Sequence, residues 1–270
     1  MAKTRYPWLQ MAALAGELVR ELEPVCSRLS VAGSLRRGQD RIGDIELVAI
    51  ADGTLLDEQC NEWLAHGIIE QRRKSTGSLL AWGSRYKAFV YDGIPVDLFI
   101  TSAPQWGLIY QIRTGPGSSD QPRWPGGANQ MLMTPHSRGG LLPDHDHDTL
   151  RVEGGWMWRG DRRLDTPEEL DVYRLLGIPL IAPFFRDIPN YTRVRKEGSA
   201  LVEHLREQQF HVGMARDTFW PVIGWCTPGM IYFPSGDYYL PYNNTALIRL
   251  ADRLRRDEQI EVGVSENVLV

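Results

Sequence analysis

The chain has little cysteine and no long apolar run. Its 270 residues include three cysteines, Cys26, Cys60 and Cys226, which are widely spaced and form no Cys-x-x-Cys pair. This pattern favours free thiols in a reducing cytoplasm over a disulfide framework or a zinc site. The sequence starts without a cleavable apolar segment, and no run approaches the length that spans a membrane. We therefore expect a soluble cytoplasmic protein without a membrane partner.

Positively charged residues are also fewer than negatively charged ones. Thirty Lys and Arg face 34 Asp and Glu, for a formal net charge of −4. Strong duplex binding draws its affinity from neutralised phosphates, so this composition argues against it. Local basic runs remain candidates for contact with nucleic acid, although each also fits an ordinary solvated face. The runs are Arg28, Arg36, Arg37 and Arg41; Arg72, Arg73 and Lys74; and Arg249, Arg253, Arg255 and Arg256.

What the sequence does contain is a glycine- and arginine-rich segment, Gly33-Ser34-Leu35-Arg36-Arg37-Gly38. Gly33 permits close approach of a ligand to the backbone, and Ser34 offers a hydroxyl and an amide at the start of a helical turn, which attracts anions. One of the two arginines is expected to bind a triphosphate while the other, pointing elsewhere, pairs with protein. The segment therefore predicts a phosphate-binding turn.

A pair of carboxylates follows in Gly43-Asp44-Ile45-Glu46. A strand places residues i and i+2 on one face, so Asp44 and Glu46 would project together while Ile45, Leu47 and Ala49 enter a core. Adjacent carboxylates repel each other unless a cation lies between them, and hard oxygen ligands suit Mg²⁺. The alternative is that the pair belongs to a solvated strand face.

A third carboxylate lies in a predicted hairpin. The turn is Asp92-Gly93, between strands at 86–91 and 94–100, both rich in strand-forming residues. Asp97 stands alone among apolar residues, where burial is costly unless the carboxylate is paired or binds a metal. Pro95 would suit an edge strand or the start of a strand.

At these residues the chain resembles the palm of family X DNA polymerases, the polymerase beta group of the nucleotidyltransferase superfamily. The resemblance implies that Asp44, Glu46 and Asp97 hold two Mg²⁺ ions, with Mn²⁺ as a substitute, and that Gly33, Ser34 and Arg37 bind the triphosphate. Residues 110–115 are similar to the family's sugar-side Tyr-Phe-Thr-Gly turn. This likeness implies nucleotide-binding roles for Arg113, Thr114 and Gly115, with Ile112 and Arg113 in place of the two aromatics.

The resemblance covers about residues 29–187 and implies an α+β fold. We expect an N-terminal helix and a palm with a mixed or antiparallel sheet over 1–113, a thumb-like subdomain over 114–190, and a C-terminal α/β lobe of unknown role over 191–270. Three features depart from the family: Glu46 replaces the usual Asp, too few residues precede the motif for an N-terminal lyase domain, and the family does not explain the chain beyond Asn190.

Apolar spacing predicts further elements. A helix from Trp8 to Leu29 would be broken at Pro24, a strand would run from Ser30 to Gly33, and a gap rich in glycine and proline would follow Thr114 as far as Asp148. Other helices are expected at 55–66, at 168–176 behind Thr166-Pro167, at 192–209 and at 245–256.

Two segments have two interpretations each. The tract Asp144-His145-Asp146-His147-Asp148 fits either a metal site or a solvated loop that binds nickel or zinc adventitiously. The aromatic residues between 219 and 242 fit either base stacking or, better, the core of a strand-rich lobe.

These features predict Mg²⁺-dependent transfer from a (d)NTP to a 3′ hydroxyl, in a reduced family X-type DNA polymerase that acts on a primer and template in replication or repair. One alternative is a template-independent nucleotidyltransferase acting on RNA, a protein or a small molecule. Another is an inactive module that binds nucleotide or acts as a scaffold, with a protein partner on the C-terminal lobe.

Overall fold

A computed structural model describes residues 4–72, 81–118, 120–144 and 150–178, together with shorter pieces at 180–181, 183, 186–189, 191–192, 195–196, 222–223, 230–232, 239–241 and 263–265. Contacts divide the chain into two compact units, residues 1–114 and 115–270. Across the described residues, no helix has both the length and the apolar character needed to cross a membrane.

The first unit is a mixed sheet with helices, which confirms the predicted α+β class with a mixed sheet. Its elements are β1 (Tyr6–Pro7), α1 (Trp8–Leu22), β2 (Cys26–Val31), α2 (Gly33–Arg36), β3 (Arg41–Ile42), β4 (Ile45–Ala51), α3 (Gly53–Ala65), β5 (Ile69–Gln71), β6 (Trp82–Gly83), β7 (Tyr86–Tyr91), β8 (Ile94–Ile100) and α4 (Trp106–Thr114). The main sheet has the order β2-β4-β8-β7-β5, with β6 also on β7. The β4–β8 pair is parallel and the other pairs are antiparallel.

The two faces of this sheet are covered differently. On one face, Ile45, Leu47 and Ala49 are fully buried, as predicted, in a core that includes residues of α1 and α3. On the other face, Val48 packs with Trp106 and Tyr110 of α4. Because side chains alternate along β4, Glu46 shares this second face with Val48.

The β7–β8 hairpin confirms its sequence prediction. Asp92 and Gly93 have φ values of 48° and 73°, the left-handed conformations that a tight two-residue turn requires. Of the two positions predicted for Pro95, the start of a strand is confirmed, since it is the second residue of β8, and the edge strand is not, because β8 lies between β4 and β7. Pro95 is tolerated since β4 first pairs with β8 at Val96, so Pro95 pairs with β7 alone.

The first helix is shorter than predicted. It ends at Leu22 and a 3₁₀ turn, Glu23–Val25, connects it to β2 at Cys26, upstream of the strand start predicted at Ser30. Pro24 has no amide hydrogen to continue an α-helix, but it fits the first turn of the 3₁₀ segment. The next helix, α3, begins at Gly53 because the Asp52 side chain accepts hydrogen bonds from the amides of Thr54 and Leu55 at 2.9 and 3.0 Å.

The second unit contains short elements. These are α5 (Gly127–Leu132), β9 (Leu150–Glu153), β10 (Trp156–Arg159), β11 (Arg162–Leu164), α6 (Glu169–Leu176), β12 (Leu180–Ile181), β13 (Val222–Ile223), β14 (Met230–Tyr232), β15 (Tyr239–Pro241) and β16 (Gly263–Ser265). Strands β9 to β11 form an antiparallel sheet, β12 pairs with β13, and β14 pairs with β15 and β16.

Two predictions for this unit need correction. The segment after Thr114 is not a structureless connection, since it contains α5 and a 3₁₀ turn at His136–Arg138. Helix α6 is capped by Glu168 in a capping box with Asp171, and Thr166-Pro167 precede the cap. The predicted helices at 192–209 and 245–256, and the Asp/His tract beyond Asp144, lie outside the described residues.

Candidate functional site

Three acidic residues occupy neighbouring positions on and beside strands β4 and β8 of the main sheet. Glu46 on β4 and Asp97 on β8 are directly paired in the parallel register. Asp44 lies two residues before Glu46, at the entry to β4. All three side chains are half-buried. The structure therefore places the predicted acids at neighbouring backbone positions, although Asp97 lies about fifty residues away from the other two in sequence.

Glu46 lies in the most constrained position of the three. A Cβ atom at residue 33 would lie 2.8 Å from its Cδ and 3.1 Å from its Cβ, so the backbone of Gly33 packs directly on this carboxylate. Burial raises the pKa of Glu46 to about 7, with further increases from the charges of Asp44 and Asp97 and opposing effects from Arg37 and Arg113.

Asp97 has two partners that the sequence interpretation missed. Its Oδ1 accepts hydrogen bonds from the Tyr86 hydroxyl at 2.7 Å and from Arg72 Nη1 at 3.0 Å. Burial raises the pKa of Tyr86, and the hydrogen bond and charge of Asp97 raise it further. The sequence contained the information needed to find Tyr86. The predicted hairpin turn sets Ala88 opposite Asp97, and Tyr86, two residues before Ala88, therefore lies on the same face of the sheet as Asp97.

The phosphate-binding turn is the short helix α2, which begins at Gly33 with φ +65°. Its two arginines have different surroundings. Arg36 is buried, stacks 3.6 Å from the ring centroid of Tyr110, and donates from Nη1 to Thr114 Oγ1 at 2.7 Å. Arg37 is half-buried and donates to the carbonyl of Thr114. Arg36 is therefore held inside the protein, and Arg37 is the arginine whose charge acts on Glu46.

Arg113 and Thr114 are the last residues of helix α4, where the family resemblance implied a turn. The Arg113 guanidinium lies 3.8 Å from the ring centroid of Phe99, and Phe99 stacks on Tyr86 at 5.0 Å. Burial lowers the pKa of Arg113, while Glu46, Tyr86 and Asp97 oppose that change. Within the described residues, its Nε is buried without a hydrogen-bond partner.

The remaining predicted residues are Ser34 and Gly115. Ser34 is half-buried in the first turn of α2. Gly115 is the first residue of the second unit, and its carbonyl accepts a hydrogen bond from Asn129 Nδ2 at 3.0 Å. A Cβ at Gly115 would overlap the Asn129 side chain, so this glycine has a packing role in its own unit.

The predicted cluster of basic residues around the turn does not form a surface patch. Arg28 lies over the ring of Trp106 at 4.2 Å and Arg36 is buried, whereas Arg41 is exposed. Arg28 and Arg36 therefore pack within the first unit, which leaves Arg37 and Arg41 of this run as the more accessible charges.

A cavity of about 580 Å³ opens elsewhere in the first unit, beside the turn of the β7–β8 hairpin. Three acids, Glu17, Glu70 and Asp92, line it together with Leu14, Gly67, Ile68, Val90, Tyr91 and Gly93. No residue of the predicted site lines it.

No protein-family model matches the chain, and no curated protein matches it.

The three carboxylates fit a hard divalent cation in donor chemistry, because Glu46 and Asp97 are paired on one sheet face with Asp44 beside them, and because burial and then the charges of Asp44 and Asp97 raise the pKa of Glu46. Their side chains do not converge: across the described part of the chain, no three His, Cys, Asp or Glu side chains form a group that could hold a metal ion. Asp97 Oδ1 is instead hydrogen-bonded to Arg72 and Tyr86.

Proposed function

We propose that the first unit catalyses Mg²⁺-dependent nucleotidyl transfer from a nucleoside triphosphate to a 3′ hydroxyl, as a reduced DNA polymerase of the family X type. The observation that carries the proposal is the parallel pairing of Glu46 with Asp97, with Asp44 two residues away and Gly33 packed against Glu46. Three acids beside a glycine-serine turn are the parts that this chemistry needs.

In this proposal, one set of residues binds the cations and another binds the nucleotide. Asp44, Glu46 and Asp97 would hold two Mg²⁺ ions, or Mn²⁺ in their place. Such ions, when bound, lower the pKa of the attacking hydroxyl and stabilise charge on the triphosphate. Ser34 and the amides beside Gly33 would orient the phosphates, and Arg37 would offset their charge.

Arg113 lies on the sugar side in this proposal. Its guanidinium is held over Phe99, and the charges of Glu46 and Asp97 act on it. Tyr86 would fix the direction of the Asp97 carboxylate through the hydrogen bond it donates to Oδ1, and Arg72, which donates to the same oxygen, would be displaced from it by a bound cation. Thr114 ties the two arginines of α2 to the end of α4.

A second candidate is a module that binds nucleotide without catalysis. The observation that favours it is the engagement of Asp97 Oδ1 by two donors in a site whose acids do not converge. This candidate predicts nucleotide binding without pyrophosphate release.

The test is incubation with labelled dNTPs or NTPs and Mg²⁺ over primed, gapped and single-stranded DNA. Extension that follows the template supports the polymerase, and extension without a template supports a template-independent transferase, which the net charge of −4 favours. Binding of nucleotide without pyrophosphate release with any acceptor supports the inactive module.

The decisive variant is Asp97→Asn, which keeps the side-chain shape and removes the charge. We expect transfer to fall at least about a hundredfold, because a metal ligand contributes several kcal/mol to the transition state. Asp92→Asn is the matched control, since Asp92 is exposed in the turn of the same hairpin and Asn tolerates its positive φ. Equal activity in the two variants would refute the proposal.

A further inference from the structure

One face of the three-stranded sheet in the second unit carries aromatic and basic side chains. The register sets Trp158 of β10 between Arg151 of β9 and Arg163 of β11. Trp156 is two residues before Trp158 and shares its face. We call Arg151, Trp156, Trp158 and Arg163 the Trp-Arg face. The opposite face of the sheet is apolar and buried, with Leu150, Met157 and Leu164.

The cations of the Trp-Arg face lie loosely over its rings. The Arg163 guanidinium is 5.3 Å from the ring centroid of Trp156 and 5.0 Å from that of Trp158. Arg151 is 5.1 Å from Trp158. By contrast, the buried stack of Arg36 on Tyr110 measures 3.6 Å. Both tryptophans are half-exposed and Arg163 is exposed, so these side chains do not form a closed packing contact.

Most of the positive charge here has no acidic partner among the described residues. Arg151 pairs with Glu153 at 3.4 Å. No carboxylate of the described residues pairs with Arg163, nor with its exposed neighbours Arg159 and Arg162 at the β10–β11 turn. The sheet segment 150–164 holds four arginines and two acids, in a chain whose net charge is −4. On the Trp-Arg face itself, Arg151 and Arg163 outnumber the one acid, Glu153, which lies opposite Trp156, so the face is a basic surface with exposed rings.

We propose that the Trp-Arg face binds single-stranded nucleic acid. Flat rings stack on unpaired bases of any sequence, and adjacent guanidinium groups bind the phosphates that link them. The guanidinium of Arg163 is almost equidistant from the two rings, and one phosphate joins two successive nucleosides. A phosphate on Arg163 thus places one base toward Trp156 and the next toward Trp158.

This site requires unstacked bases, so a duplex is a poor ligand for it. It also goes beyond the proposed transfer reaction, because none of its residues belongs to the acid cluster and binding consumes no nucleotide. A single-strand site on the chain would hold DNA or RNA whether or not the first unit is catalytically active.

The test is fluorescence anisotropy of the full chain with a labelled oligothymidine of about 15 nucleotides, within the site sizes of single-strand binders. Arg163→Gln is expected to weaken binding about five- to tenfold and to reduce the slope of log K against log salt by about 0.7, the value for one lost phosphate contact on a single strand. Arg123→Gln is the matched control. Arg123 is an exposed arginine of the same unit, 5.5 Å from the ring of Trp124.

Stacking is tested at Trp156. Trp156→Leu keeps an apolar cover on the sheet and removes the flat ring, so binding should weaken about tenfold. Trp156→Phe should restore affinity to within about threefold, which a purely structural role for the indole would not require. A matching oligouridine, tested beside oligothymidine, shows which sugar the site prefers.

Three results would overturn the proposal. The first is a salt slope for Arg163→Gln equal to that of Arg123→Gln. The second is equal competition by a duplex of the same length, or binding of anionic phosphatidylserine vesicles in place of the oligonucleotide. The third is loss of oligonucleotide binding in Asp97→Asn, which would place the binding at the acid cluster. Retained binding in Asp97→Asn, with transfer lost, separates this site from the proposed function.

Discussion

The backbone of Gly33 lies against the carboxylate of Glu46, so that residue 33 has no room for a side chain. Gly33 also has φ +65°, a conformation that L-residues adopt at a cost. The start of the predicted phosphate-binding turn and one of the predicted metal ligands therefore constrain each other directly. This contact explains in physical terms why the turn begins with glycine.

Replacement of Gly33 by alanine should therefore disturb the site more than the fold. Gly67→Ala is a matched control, because Gly67 has φ +67° and no atom within 4 Å of a built Cβ. Both variants should lose about 1–2 kcal/mol of stability from the left-handed backbone. Only Gly33→Ala should also displace Glu46, and we expect its transfer activity to fall at least about tenfold below that of Gly67→Ala.

Thermal unfolding and transfer assays on the two variants separate these effects. If Gly33→Ala and Gly67→Ala lose activity in the same proportion, the contact between Gly33 and Glu46 does not contribute to activity.

Arg72 and a divalent cation compete for Asp97 if the proposed function is right. Arg72 donates to Oδ1 of Asp97 at 3.0 Å, and its side chain is 31% exposed. A pair of this exposure contributes about 1 kcal/mol or less. Arg72→Gln should therefore lower the Mg²⁺ concentration for half-maximal transfer by up to about fivefold. Arg20→Gln, an exposed charge loss on α1, controls for net charge.

The measurement is a Mg²⁺ titration of transfer rate at fixed ionic strength. A higher Mg²⁺ requirement in Arg72→Gln would mean that Arg72 holds Asp97 in place for the cation and does not compete with it.

Local sequence signals were sufficient for much of the first unit. The Asp92-Gly93 dipeptide specifies a tight turn, and period-two alternation from Ile45 to Ala49 identifies the buried face of β4. Once β8 is fixed by this turn, an isolated Asp97 among apolar residues indicates a functional carboxylate. These inferences need only short-range patterns; the structure agrees with the turn and with the buried face of β4, and the functional role of Asp97 stays a prediction.

Contacts across several strands could not be predicted in the same way. Arg72 follows β5, which pairs with β7, and it reaches Asp97 on β8 through a register that no local pattern specifies. The burial of Arg36 depends on Tyr110 and Thr114, about 75 residues along the chain. In the second unit, the placement of Trp158 between two arginines follows from strand pairing alone.

A buried lysine provides a test of the fold that is independent of function. Lys87 is 3% exposed and pairs with Asp57, which is 58% exposed, at 2.6 Å. Removal of Asp57 leaves a cation in the core beside Trp82, whereas removal of Lys87 leaves a carboxylate that water can solvate. Asp57→Asn should cost about 1–2 kcal/mol of unfolding free energy after allowance for the exposure of Asp57.

The double-mutant cycle with Lys87→Met decides this point. Asp57→Asn should have little further effect in the Lys87→Met background, because the buried cation is then gone. Urea denaturation of the four proteins measures the coupling. An equal cost of Asp57→Asn in both backgrounds would show that the lysine does not depend on this partner.

The two described thiols should be unreactive in the native protein. The pKa of both Cys26 and Cys60 is raised to about 11, chiefly by burial. For Cys26, the neighbouring Cys60 contributes part of this increase. A thiol with this pKa is on the order of 0.1% thiolate at pH 8, against roughly a quarter for an ordinary cysteine, and the thiolate is the reactive form.

Cys226→Ser removes the remaining cysteine, so that only Cys26 and Cys60 can react in the labelling experiment. In that variant, native protein should react with a disulfide reagent at least about a hundredfold more slowly than urea-unfolded protein. The native rate should rise about tenfold for each pH unit between 8 and 10, because the folded pKa lies above this range. Rapid labelling of two thiols in native protein at pH 8 would contradict the burial of Cys60 within the core behind β4.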